Sequence, residues 1–206
     1  MGSLSGDPFL KEVNMASVQN FTKIDICSKA LLMIGENTIT SFTEDSNGAL
    51  VASNLYESTY ESLLTLPPWR FASSKATLSR LTATPTNQWD YAYQLPADFL
   101  VAQHVDQGND DFQIYADKLY SNQKTMILDY TYKPDETFLP AYFTELLELK
   151  LASVFAIPVT ESSTKAEYYA TQTERQLQKA KTVDSQSTPS IAPGLLEGST
   201  LINARY

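Results

Sequence analysis

Residues 89–105 read WDYAYQLPADFLVAQHV, and the period of this stretch decides the fold. Trp89, Tyr91 and Tyr93 alternate with polar or small residues. That is the two-residue period of a strand with one covered face. Phe99, Val101 and Val105 continue as extended chain. Further β-type runs follow at Phe112–Ala116, Lys118–Tyr120 and Met126–Tyr132, with turns at Gln107–Asp111 and Ser121–Gln123. On both sides of this region the period is helical. The chain therefore reads as an α+β fold: a helical-bundle body, an inserted small antiparallel sheet of four or so strands, and an extended C-terminal arm. The expected division is 15–84 and 138–183 for the helical body, 85–137 for the β insertion and 184–206 for the arm.

Upstream, Ile24, Cys27, Leu31 and Ile34 recur at helical spacing, and Gly35 and Asn37 mark a stop. A second helix starts near Ser46 or Asn47. It carries Leu50, Leu55 or Val51, Tyr60 and Leu63–Leu64 on its apolar side and Tyr56 on a flank, and it stops before Pro67–Pro68. Residues 71–81 read as a helical turn that becomes extended by Ala76. Downstream, a long helix runs from Phe138 through Tyr142 (or Phe143), Leu146, Leu149 and Ser153, and Ile157–Pro158 ends it. Glu161 to about Thr182 is the last helix. Ala166, Tyr169, Ala170, Thr173 and Leu177 give it a thin apolar stripe, which suits a small packing area or a neighbouring subunit.

The 206 residues are enough for one domain with a full core. A net charge of −9 lacks the basic footprint that grips nucleic acid, yet permits a passage through which DNA slides. Twelve tyrosines fit either a protein interface or a Tyr-rich sheet. No apolar run is long enough to span a bilayer. No signal peptide is read, so synthesis in the cytoplasm is expected, and Met1–Asn14 is set aside as a leader or extension.

Catalytic chemistry is not read from the residues. Cys27 and His104 are each the only one of their type, too few for a typical structural zinc site. Cys27 is read as a buried core thiol and His104 as structural or exposed. Phosphate-binding glycine motifs are missing. Asp106, Asp110 and Asp111 cluster near Gly108, but EF-hand spacing is not met, so a solvated acidic turn is expected. Glu57 with Glu61, and Glu145 with Glu148, are read as solvated helix faces. The expected site therefore holds no catalytic, cofactor-binding or metal-ligating residue.

The last 23 residues are rich in Ser, Thr, Pro and Gly, and Pro189, Pro193, Gly194 and Gly198 interrupt every run. Ile191, Leu195, Leu196, Leu201, Ile202 and Tyr206 are nevertheless spaced apolar anchors. They suit an arm, mobile alone, that orders on a partner; a plain spacer would need none of them.

Several motifs in order carry a resemblance to a known family. They are Asp25–Gly35, then Ile39, Ser41, Glu44 and Ser46, then Pro68, Trp69, Phe71 and Ala72, then Tyr91–Asp98. Together they resemble the tail tubular protein A family, the head-to-tail adaptors of short-tailed bacteriophages. The resemblance covers about residues 24–99 well and the later helices in layout. It implies a structural ring subunit, commonly of twelve copies, between the portal protein and the tail nozzle protein of the virion. DNA would pass through the lumen without sequence-specific binding. No enzyme activity, cofactor or membrane is expected. Within this frame Gly35 stops a helix, Pro96 turns a strand, Asp98 caps the next turn, and Trp69, Phe71 and Trp89 lie at the junction of helices and sheet. The six apolar anchors of the arm are expected to contact the portal. One rival is a phage structural protein that also hydrolyses carbohydrate. Its sign would be paired carboxylates on opposing strands with a nearby His or Arg, which are not read. The other is a monomeric binding module.

Overall fold

A computed structural model of the chain describes residues 21–106 and 111–186. Among them, α1 (Lys23–Met33) and α2 (Asn47–Thr65) precede the strands β1 (Ser73–Thr77), β2 (Ser79–Arg80), β3 (Tyr91–Gln94), β4 (Phe99–Asp106), β5 (Phe112–Tyr115), β6 (Lys118–Ser121) and β7 (Ile127–Tyr132). A single 3-10 turn at Glu136–Phe138 then leads to α3 (Ala141–Thr160) and α4 (Ser163–Gln186). The fold is α+β: a helical bundle with antiparallel β structure inserted between α2 and α3.

The helix starts follow local chemistry. Thr22 accepts from the Asp25 amide at 3.2 Å, and the Asp25 carboxylate accepts from the Thr22 amide at 2.9 Å. This reciprocal capping box holds the first turn of α1. Ser46 caps α2 by accepting from the Ala49 amide at 3.2 Å. Gly35 follows α1 at φ +85°, a conformation that favours glycine. Gly48 lets α2 approach α1: a Cβ there would lie 3.1 Å from a Leu31 methyl.

α3 lies at the centre of the bundle and packs on α1, α2 and α4. Its buried Phe143, Leu146, Leu147, Leu151 and Phe155 meet Ile26, Leu31 and Ile34 of α1 and Tyr56, Tyr60, Leu63 and Leu64 of α2. Leu50 departs from the expected apolar side and is 63% exposed, while Tyr56 is central and buried. Val51 and Ala52 take the inward positions instead. The Tyr56 ring can be buried because its hydroxyl donates to Glu136 at 3.2 Å.

The β region is larger than the period suggests and begins earlier. Ser73–Thr77, placed in the helical body and expected to become extended only by Ala76, is a strand throughout, paired along β7 from Ser73↔Thr131 to Thr77↔Ile127. β2 also lies upstream of residue 85. In place of one sheet of about four strands there are two antiparallel sheets, ordered β1-β7-β4 and β2-β3-β6-β5. Leu78, Tyr93, Val105, Leu119, Leu128 and Tyr130 are among the side chains that pack their interior.

Three helical boundaries differ from the reading. Phe138 belongs to the 3-10 turn, is 77% exposed, and lies outside α3. Pro158 sits inside α3, which continues to Thr160 and ends at Glu161 with φ +52°. A proline so close to a helix end removes only one interior hydrogen bond, and the Thr160 hydroxyl donates to the Ala156 carbonyl at 2.7 Å. α4 runs past Thr182 to Gln186, so Asp184, assigned to the arm, is a buried helical residue. Ala170 is exposed rather than part of the α4 stripe; Thr173, Gln176, Ala180 and Asp184 are the buried positions.

Candidate assembly interface

The chain enters the β region directly behind Trp69. This indole is fully buried and donates to the Leu63 carbonyl at 2.9 Å. It stands edge-on to Phe143, with ring centroids 5.1 Å apart, and Phe71 packs on the same Phe143 ring at 4.8 Å. Between them, the Arg70 amide donates to Asp184 at 2.8 Å. The other oxygen of Asp184 accepts from the Tyr142 hydroxyl at 2.8 Å. One buried carboxylate thus joins the end of α4, the start of α3 and the chain entering β1. A carboxylate is suited to this because it accepts several hydrogen bonds at once.

The chain leaving the β region is held as firmly. Tyr60 donates to the Pro134 carbonyl at 2.8 Å. Lys133 binds Glu57 and, at 2.9 Å, Glu61. Lys23 meets Glu57 at 2.5 Å and Glu136 at 3.6 Å. The Glu57–Glu61 face, expected to be merely solvated, therefore pairs with cations from α1 and from the end of β7. Burial raises the Glu57 carboxyl, but the hydrogen-bonded Lys133 and Lys23 outweigh it and hold Glu57 below its ordinary range. The hydrogen bond to Glu57 raises Lys23, against burial. Burial opposes, but Glu57 and Glu61 also raise Lys133. The Tyr132 amide donates to the Ala72 carbonyl at 2.9 Å, so the entering and leaving chains meet at the foot of the sheet. The entry of the insertion is bonded to α2, α3 and α4, and its exit to α2, with Lys23 of α1 joining the exit network.

The second carboxylate pair also departs from the solvated reading. Glu148 is buried against Lys29, 3.0 Å away, and burial raises its carboxyl above the ordinary value. Exposed Glu145 accepts from Gln176 at 2.8 Å. At the end of α1, Lys165 donates to the Ile34 carbonyl at 2.5 Å and Tyr169 to the Met33 carbonyl. These bonds fasten the start of α4 to the turn at Gly35.

Trp89 does not lie at this junction. It is half-buried in the β region, where its indole donates to Gln113 of β5 at 3.1 Å. Pro96 forms the turn between β3 and β4, its carbonyl accepting from the Phe99 amide at 3.2 Å. Asp98 accepts from the Tyr130 hydroxyl at 3.2 Å. Ile191, Leu195, Leu196, Leu201, Ile202 and Tyr206 lie outside the described residues, as do 107–110 of the acidic turn and the leader 1–14. Buried Cys27 has its thiol pushed up to about 12 by burial, with Glu136 and Glu57 adding to the effect. It is therefore no thiolate nucleophile near neutral pH. His104 lies on β4 opposite Asp129. Among the described residues, no group of three or more His, Cys, Asp or Glu is placed to hold a metal ion, and no helix is long and apolar enough to cross a membrane.

The large exposed apolar side chains concentrate on the helices. Leu50, Ile157 and Tyr168 belong to the end away from the β region, where Asn47 of α2 donates to the Pro158 carbonyl of α3 at 3.1 Å. Leu66 and Val183 lie toward the junction. Leu50 and Tyr168 line two separate surface hollows, one with Phe42, Glu44 and Asp45 and the other with Leu149, Arg175 and Lys179. No family model matches the chain, and no curated protein matches it.

Proposed function

We propose that this chain is a structural adaptor of a short-tailed phage: a ring subunit in the virion, between portal and tail nozzle proteins, around a lumen through which DNA passes. The double clamp on the β insertion carries the reading. A connector subunit has to hold two interaction surfaces in a set relation, and the bonds at both ends of the insertion suit that task. The motif residues that carry the family resemblance have structural work at the same places. Asp25 and Ser46 start helices, Gly35 stops one, Trp69 and Phe71 fill the junction, and Pro96 turns the chain between the two sheets. A net charge of −9 favours passage of DNA over adhesion to it.

The arm from residue 187 onward, with Ile191, Leu195, Leu196, Leu201, Ile202 and Tyr206, is proposed to contact the portal. The test compares the full chain with a truncation after Gln186 for binding to a purified portal ring. The cut falls there because Asp184 is part of the junction. The truncated chain should keep its helical circular dichroism and lose portal attachment. Unchanged attachment would reduce the arm to a spacer. A full chain that stays monomeric and ignores the portal ring at micromolar concentration would overturn the adaptor reading in favour of a monomeric binding module.

A further inference from the structure

We infer that the groove between α3 and α4 receives a second copy of this chain, specifically the corner formed by the α1–α2 loop and the first turn of α2. The inference rests on the ring reading above and names the surfaces through which neighbouring copies would meet. α4 packs on α3 through buried Thr173, Gln176, Ala180 and Asp184, with Tyr169 and Leu177 partly buried against the same core. One flank of α4 is left open beside these positions. Tyr168, Gln172, Arg175 and Lys179 follow each other at helical spacing and, with Glu145 and Leu149 of α3, line a groove of about 700 Å³. Tyr168 is 58% exposed. Two cations stand against one carboxylate there, and that carboxylate accepts a hydrogen bond from Gln176. The groove is therefore locally positive on a chain whose net charge is −9.

The complementary surface is on α2. Phe42, Glu44, Asp45 and Leu50 line a smaller hollow of about 310 Å³ whose lining includes no Lys or Arg. Glu44 is held in place by accepting from the Thr40 amide at 3.0 Å. Leu50 projects from the first turn of α2. What matches the two surfaces is chemistry: exposed Leu50 with Glu44 and Asp45 on one, and Leu149 and Tyr168 with Arg175 and Lys179 on the other. The two surfaces differ and belong to different helices: α2 and α4 both pack on α3, and neither packs broadly on the other. A contact between two different patches is head-to-tail, the kind that generates rings when the rotation closes. Opposite charges at its edge select this pairing over others on an acidic chain.

The test is sedimentation velocity on the full chain across a micromolar to submillimolar concentration series. Four samples are compared: wild type, Arg175→Glu/Lys179→Glu, Glu44→Lys/Asp45→Lys, and an equimolar mixture of the two variants. Each reversal alone should weaken self-association by about tenfold or more. The mixture should regain it, because it contains one native pairing and one charge-swapped pairing. Wild-type association should also weaken as salt rises and shortens the reach of the charges. Since Glu44 also holds the loop at Thr40, Asp45→Lys/Leu50→Lys, with Glu44 intact, serves as a second acid-side variant. Association that ignores all these changes would place the copy–copy contact elsewhere and leave the ring reading standing. A wild-type chain that stays monomeric throughout overturns this contact, while the adaptor reading is judged separately by portal binding.

Discussion

The helical unit and the β unit bury very different interiors. Among the described residues, 23 buried side chains join into the helical cluster, with Trp69, Tyr60, Phe143 and Phe155 fully enclosed. The β unit gathers 8, divided over two small sheets. Because apolar burial is the main favourable term in folding, most of the stability resides in the helices. The β unit is held by its attachment: β1 and β7 pair with each other, and both continue into clamps on the helices. The orientation of the sheets is therefore decided at the junction rather than inside them.

Trp69→Ala should have the largest effect on both units. Removing a fully buried indole that touches Phe71 and Phe143 should cost about 3–5 kcal/mol. Trp89, left in the β unit, then reports on that unit by fluorescence while circular dichroism follows the helices. If the β unit depends on the junction, both signals should move together to a lower melting temperature. A β unit that keeps its wild-type fluorescence transition while the helices melt early would show that it stands alone.

Asp184 sharpens the comparison at one clamp. Asp184→Ala leaves the Arg70 amide and the Tyr142 hydroxyl without this acceptor, which should cost about 1–3 kcal/mol in a urea melt. Asp184→Asn keeps one carbonyl acceptor and should cost less. Hydrogen exchange should rise first at Val183–Gln186 and Arg70. Protection that stays unchanged at Arg70 would mean that α4 does not hold the entry to β1.

What could be read beforehand follows from where the deciding physics lies. The starts of α2 and the stop of α1 were legible because Ser46 and Gly35 act within their own turns. β1 was legible only from Ala76 on: Ser73, Ser74 and Lys75 carry no apolar signal, and their pairing to β7, more than fifty residues on, makes them a strand. The final turn of α4 was missed for the same reason, since Thr182, Val183 and Asp184 are poor helix formers held there by tertiary hydrogen bonds. Trp69 has its partner Leu63 in the preceding helix, whereas Trp89 depends on Gln113, in the third strand that follows it. The Glu57 face looked solvated because its cations come from α1 and from Lys133.

The smallest expected effect tests the exit clamp by pH. Glu57 lies below its ordinary value of 4.5 because Lys133 and Lys23 outweigh its burial. A depressed carboxyl contributes stability that is present above the unfolded value and is lost as pH falls through the folded one. Lys23 and Lys133 are raised above 10.5, so their share is present below that value and is lost as pH rises through the folded values. The network should therefore support the fold across neutral pH and fade at both extremes. The Glu57 side chain is 46% exposed, and solvent screening limits the contribution to about 0–1 kcal/mol. Glu57→Gln should accordingly lower the melting temperature slightly at pH 7, and the difference should narrow as pH falls below 4.5 and through the folded value. The gap at pH 7 should also shrink in high salt. A wild-type and variant pair with parallel pH profiles would remove this network from the clamp and leave Tyr60 and its bond to the Pro134 carbonyl as the hold on the outgoing strand.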